Sequence, residues 1–169
     1  NVTLGPILRL IQKDYAGDLK ARQLTLELDP DINSLPVIRA DSELLQKALD
    51  NVVVNAIKFT PNGGSIRVSA GPVKGEHDED VCEIRIKDTG IGINNADREM
   101  LFEKLYQVGK VELHSSGRTK FKGGGPGLGL AIAAGIIKAH QGKIWCESDG
   151  YDEEKLPGST FFIHIPLAK

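Results

Sequence analysis

Residues 41–64 read DSELLQKALDNVVVNAIKFTPNGG, and the rest of the chain is arranged around them. Leu45, Ala48, Leu49, Val52, Ala56 and Phe59 recur at spacings of three and four, the period of an amphipathic helix. Asp41 has the side chain of an N-cap. Pro61, Gly63 and Gly64 end the pattern. One face of this helix is unusual. Asn51, Asn55 and Lys58 are spaced i, i+4, i+7 and line up as a polar seam. Asn is a modest helix former, because its amide competes for backbone hydrogen bonds. The seam fits two descriptions equally. It is the wet side of an ordinary helix, or a face whose amide oxygens suit a hydrated divalent cation and whose ammonium suits phosphate.

Upstream, the spacing predicts a helix over 3–20 that buries Leu4, Ile7, Leu8, Ile11, Tyr15 and Leu19. QLTLELD (23–29) alternates as a strand, and Val37–Arg39 suits a short edge strand. Downstream, Ile66, Val68 and Ala70 mark a second strand, and GPVKGEHDED (71–80) reads as a solvated hairpin connection, His77 included. In VCEIRIKD (81–88), Cys82, Ile84 and Ile86 share one face, and the period of two puts Asp88 on that same apolar face. A buried carboxylate needs donors. Either an external amino group supplies one, with Gly90 and Gly92 of TGIGI (89–93) leaving room beside it, or Asp88 caps a local turn through an Asx bond.

Residues 96–105 read as a short helix in which Phe102 and Tyr106 are spaced as packing residues. Residues 107–126 lose all periodicity, the pattern of a mobile surface loop or of a lid. GGGPGLGLAIAAGIIKAHQG (123–142) then opens a helix, with Leu128, Ala131, Ile132, Gly135, Ile136 and Ala139 expected as its buried stripe. Glycines before a helix expose N–H groups to an anion. The spacing is neither that of a Walker loop nor G-x-G-x-x-G. His140 falls where a side chain caps a helix C-terminus. KIWCES (143–148) and STFFIHIPL (159–167) are strands, the latter with Phe161, Ile163 and Ile165 inward and His164 on the polar side.

With 169 residues the chain suits one domain, 1–169, with a core that needs no staples. A net charge of -2 gives no general signal for nucleic acid or for a membrane surface. Cys82 and Cys146 lie in strands without metal or redox spacing, as buried free thiols of a reducing compartment do. No apolar run has the length of a membrane span, and no signal peptide is visible. The sequence holds no serine-nucleophile motif and no His/Cys metal cluster. A helical pattern is already running at Asn1, so a fragment of a longer protein is expected.

Four stretches in this order, NVVVNAIKF, DTGIGI, FEKLYQ and GGGPGLGL, resemble the N, G1, F and G2 boxes of sensor histidine kinases. The resemblance runs from about residue 3 to 167, and the order of the boxes is far more specific than any one of them. It implies an α/β (α+β) two-layer sandwich, the Bergerat ATP-binding fold, with a mixed sheet covered on one face by helices and a flexible lid. By resemblance, Asn55 is the Mg²⁺ ligand and Asn51 lines the phosphate side. Lys58 stands near the phosphates, and Phe59 walls the nucleoside. Asp88 accepts from the adenine amino group in a pocket shaped by Gly90 and Gly92. Tyr106 of the F-box stretch and the lid cation Lys122 join the nucleotide-binding set. Gly125, Gly127, Leu128 and Gly129 match the lid hinge and the phosphate-binding amides. Leu105 stands where the F box usually has a second Phe, which implies looser lid anchoring.

The implied activity is transfer of the γ-phosphoryl group of Mg-ATP to a histidine on a separate dimerisation hairpin, in the cytoplasm, with a response regulator downstream. None of His77, His114, His140 or His164 lies in a phosphoacceptor motif, so the fragment is not expected to phosphorylate itself. Three other functions compete. Gyrase-type or chaperone-type ATPases of this fold carry a Glu base where this chain has Asn51, and an amide is no general base. A protein serine kinase of the same fold would be revealed by phosphoserine on a partner. A non-catalytic binding module would lack the intact set of Asn55, Asp88 and glycines.

Overall fold

The computed structural model describes residues 1–103, 119–122 and 128–168. Most of the expected lid, with Tyr106, Gly125 and Gly127, lies outside the described residues.

The helix read from 41–64 forms as α3, Ser42–Phe59. Asp41 caps it, its carboxylate accepting from Leu44 N at 2.9 Å. Before it come α1 (Leu4–Asp14), α2 (Ala16–Ala21), β1 (Thr25–Leu28) and a 3-10 turn, Pro30–Asn33. The predicted single first helix is therefore two. Gly17, two residues beyond the break, is the weakest helix former nearby. The break falls at Tyr15, whose hydroxyl donates to Asp50 Oδ1 on α3 at 2.7 Å. The expected edge strand at 37–39 is reduced to isolated bridges of Ile38 with Val2 and Leu167.

After α3 come β2 (Ser65–Lys74), β3 (Asp80–Asp88), β4 (Gly92–Ile93), α4 (Asn95–Arg98), α5 (Gly129–Ala139), β5 (Lys143–Glu147), β6 (Gly150–Tyr151) and β7 (Ser159–Pro166). Five strands make one sheet in the order β1-β2-β3-β7-β5. β1 runs parallel to β2, and the other pairs are antiparallel, so the sheet is mixed. β4 and β6 form a separate two-stranded ribbon. The predicted connection 71–80 shrinks to a turn, because β2 continues to Lys74 and pairs with Asp80. Pro72 is tolerated there because β1 pairs only as far as Val68, which leaves the far half of β2 as an edge. The helix expected over 96–105 is shorter, ending at Arg98, though Leu101 is buried and Phe102 meets Phe161 edge-to-face at 6.3 Å.

One core lies between the sheet and the helices. Leu4, Leu8 and Ile11 of α1, Leu45, Leu49 and Val52 of α3 and Ile137 of α5 close over Ile66, Ile84, Ile86, Phe161 and Ile163. The inward alternation of β7 is as the sequence predicts. The stripe predicted for α5 is not: the buried residues are Leu130, Ala133 and Ile137, and Ile132 stays 38% exposed. From Leu128 to Ile137 that helix is apolar on every side, so its period cannot say which side faces inward. No helix among the described residues is long and apolar enough to cross a membrane.

Candidate functional site

α3 buries Val52, Val53, Val54, Ala56 and Ile57 and leaves Asn51, Asn55, Lys58 and Phe59 half-buried. The seam therefore exists as a strip at the edge of the core. Asn51 donates back to Lys47 O at 3.0 Å, which orients its amide along the helix. Lys58 holds its ammonium 5.7 Å from the centre of the Phe59 ring.

α5 lies antiparallel to α3. At one end, His140 follows the last turn of α5. Its Nδ1 meets Ile136 O at 2.8 Å, and its Nε2 accepts from Asp41 N at 2.9 Å. Those partners fix the tautomer with the proton on Nδ1, and His140 is the capping residue the sequence predicts. At the other end, Gly129 comes so close to the seam that a Cβ there would stand 3.2 Å from Asn51 Oδ1. The first turn of α5, whose N–H groups have no intrahelical acceptors, is thus set beside Asn51. Leu128, just ahead of it, is half-buried.

Asp88 ends β3 and is only 2% exposed. Its Oδ1 accepts from Gly90 N at 2.8 Å and Ser159 N at 3.3 Å, and its Oδ2 accepts from Ser159 Oγ at 2.8 Å. Burial pushes the carboxyl above the usual carboxylate range, and the donors of Ser159 and Gly90 pull it partly back. The protein thus supplies donors of its own, including the Asx bond to Gly90. Oδ2 has one such donor, and a carboxylate oxygen has the lone pairs to accept another.

The glycines of TGIGI are required by the chain itself. A Cβ on Gly90 would collide with the Phe59 carbonyl, and one on Gly92, at φ +72°, with the Gly150 carbonyl. Both positions are filled by the protein's own backbone rather than held open for another molecule. Ile91 N donates to Phe59 O at 3.0 Å and Asp152 N to Ile91 O at 2.8 Å. The loop is wedged between the end of α3 and the 148–158 turn, and this joins the Asp88 end of the site to the seam.

Lys122 reaches the same region. Its N–H donates to Lys58 O at 2.8 Å, and its ammonium pairs with Glu153, which also accepts from the Tyr151 hydroxyl. The Glu153 bond raises the Lys122 pKa, and the Lys122 bond lowers that of Glu153. Ser159 and Glu153 were not legible as site residues. Ser159 carries a weak signal, because strand parity puts it on the inward face of β7 with Phe161 and Ile163, and only the pairing with β3 sets it opposite Asp88. Among the described residues no group of three or more His, Cys, Asp or Glu stands ready to hold a metal.

The sequence matches the family of histidine kinase-, DNA gyrase B- and HSP90-like ATPases over residues 40–169. It is 39% identical over 111 residues to the sensor histidine kinase WalK of Bacillus subtilis, covering 66% of this chain and 16% of that protein. It is 32% identical over 162 residues to the adaptive-response sensory kinase SasA of Nostoc sp., covering 94% of this chain and 36% of that protein. The chain therefore spans roughly a third or less of these relatives. Among solved structures it is similar to a mycobacterial sensor histidine kinase, MprB, with a TM-score of 0.68 and 25% identity, over 94% of this chain and 93% of that one. A one-faced mixed sheet, a seamed central helix and a family match that takes in this helix and four of the five strands place this chain in the histidine kinase-, DNA gyrase B- and HSP90-like ATPase family, with the Bergerat fold of sensor histidine kinase catalytic domains.

Proposed function

We propose that residues 1–169 form a single catalytic domain of a sensor histidine kinase, which binds Mg-ATP and presents its γ-phosphoryl group to a histidine on a separate hairpin of the same protein. The observation that carries this reading is the placement of Gly129, at the N-terminus of α5, against Asn51 of the α3 seam. A helix N-terminus meets there the face of α3 that also carries Asn55 and Lys58, and N–H groups, amide oxygens and an ammonium are what a metal-bound triphosphate requires.

The division of labour follows from the residue types. Asn55 offers one neutral oxygen on the half-buried face of α3. Such a ligand suits Mg²⁺, which takes one or two protein oxygens and completes its shell from phosphates and water. When bound, the ion neutralises charge on the transferring phosphoryl group. Asn51, the first N–H groups of α5 and the ammonium groups of Lys58 and Lys122 position the phosphates. Gly125, Gly127, Leu128 and Tyr106 belong to the same set by resemblance. Phe59 flanks the nucleoside. Asp88 selects adenine through its remaining acceptor position, inside the cradle that Gly90 and Gly92 make possible. Asn51 stands where same-fold ATPases place a carboxylate base, which favours transfer to a protein over hydrolysis. A response regulator then receives the phosphoryl group from the hairpin. The domain works in the cytoplasm and makes no membrane contact of its own.

Two measurements test this. Titration with ATP should show binding that Mg²⁺ strengthens. Incubation with labelled ATP should leave the chain unlabelled and should label an added histidine-bearing hairpin with acid-labile phosphate. Absence of ATP binding, or stoichiometric label on His77, His114, His140 or His164, would overturn the reading.

A further inference from the structure

The last turn of α3 and the segment 119–122 are far apart in sequence, yet one side chain holds both. Arg22, just after α2, donates from Nε to Asn62 Oδ1 at 2.6 Å, from Nη2 to Thr60 O at 2.6 Å and from Nη1 to Ile57 O at 3.3 Å. The last two acceptors are carbonyls at the C-terminal end of α3, which lack intrahelical donors. Nη1 also donates to Thr119 O, and the guanidinium stands 5.7 Å from the Phe121 ring centre. A second tie lies beside it: Thr119 Oγ1 donates to Asp18 Oδ1 at 2.7 Å. Lys122 N then closes onto Lys58 O.

We propose that Arg22 is a positioning residue for nucleotide binding: it locks the segment carrying Lys122 to the turn of α3 carrying Lys58, and so sets the spacing of the two lysines assigned above to the phosphates. The planar fork is what the geometry demands. It reaches carbonyls of two separate segments with directed N–H groups, which a single ammonium on a flexible stem cannot reproduce. The Asp18–Thr119 bond serves the same junction without touching α3. This inference rests on the nucleotide-binding reading above.

The test compares ATP with adenosine, by calorimetry or ligand-observed NMR, in the unmodified protein and in Arg22→Ala, Arg22→Lys and Thr119→Val. Adenosine has no phosphates, so a positioning role predicts a split between the two ligands. Arg22→Ala and Arg22→Lys should each lose about fivefold or more in ATP affinity, with adenosine affinity unchanged. Thr119→Val spares the α3 carbonyls and should lose about twofold or more for ATP at an unaltered melting temperature. Equal loss for both ligands would mean general damage to the fold and would overturn the proposal, as would unchanged ATP affinity in folded Arg22→Lys and Thr119→Val. Failure of the underlying reading looks different: the unmodified protein would then show no preference for ATP over adenosine.

Discussion

Asp88 and Ser159 face each other in register across β3 and β7, and Ser159 gives the buried carboxylate both its amide and its hydroxyl. This pair holds an ionisable group inside the sheet next to the loop that meets the end of α3. Removing the hydroxyl with Ser159→Ala strips one donor from a buried acceptor, which costs roughly 1–3 kcal/mol. Chemical denaturation should register that loss, and an unchanged midpoint would mean that the hydroxyl is replaceable by water. The carboxyl pKa should climb further above its usual range, because burial would then face fewer opposing donors.

Adenine selection follows from the same carboxylate. The 6-amino group of adenine can donate to Oδ2, whereas guanine presents a carbonyl at that edge and leaves two acceptors facing each other. The expected discrimination is roughly 1–3 kcal/mol in favour of ATP over GTP. Asp88→Asn should erode it. Equal affinities in the unmodified protein would remove Asp88 from the site.

Asn55 is the sharpest probe of the seam. It lies outside the set of buried apolar residues of α3, so Asn55→Ala should shift stability by no more than about 0.5 kcal/mol. ATP affinity should lose most of its Mg²⁺ dependence, and transfer to the hairpin should stop. Binding with and without Mg²⁺, beside a thermal melt, measures all three. A normal melt with transfer at the unmodified rate would return the seam to an ordinary wet helical face.

The two thiols predict the alkaline limb of stability. Burial pushes Cys82 up to about 11 and Cys146 up to about 12. A group whose folded pKa is raised contributes stability that is fully present below its unfolded pKa and is lost as pH rises through the folded value. Stability should therefore decline from about pH 9 towards pH 11–12. Below that window both thiols should resist alkylation until the protein unfolds. Fast labelling of native protein at neutral pH would contradict their burial.

The His140 clip predicts a tautomer. With Ile136 O on Nδ1 and Asp41 N on Nε2, long-range nitrogen–proton NMR correlations should show the proton on Nδ1. His140→Ala should destabilise the protein by about 1 kcal/mol, since both the end of α5 and the start of α3 lose a partner.

Local periodicity and capping chemistry determined a good deal of this protein. Asp41 and the apolar residues from Leu45 to Ala56 specify α3 and its seam, and the alternation in VCEIRIKD puts Asp88 inside. The stretch of β7 from Phe161 to Ile165 is equally plain, because each of these patterns is written within one element. Tertiary structure decided what such patterns cannot hold. α5 is apolar on every side, so its buried face was chosen by α3 and the sheet. Tyr15, at the break between α1 and α2, is tied to Asp50 of α3, and the length of β2 answers to its pairing with β3. Gly90 and Gly92 are glycines because Phe59 and Gly150 carbonyls lie against them. Ser159 reaches Asp88, and Arg22 reaches Thr119, across long separations in sequence. These are contacts between distant segments, and their physical cause is packing and hydrogen-bond satisfaction in three dimensions, which no window of neighbouring residues contains.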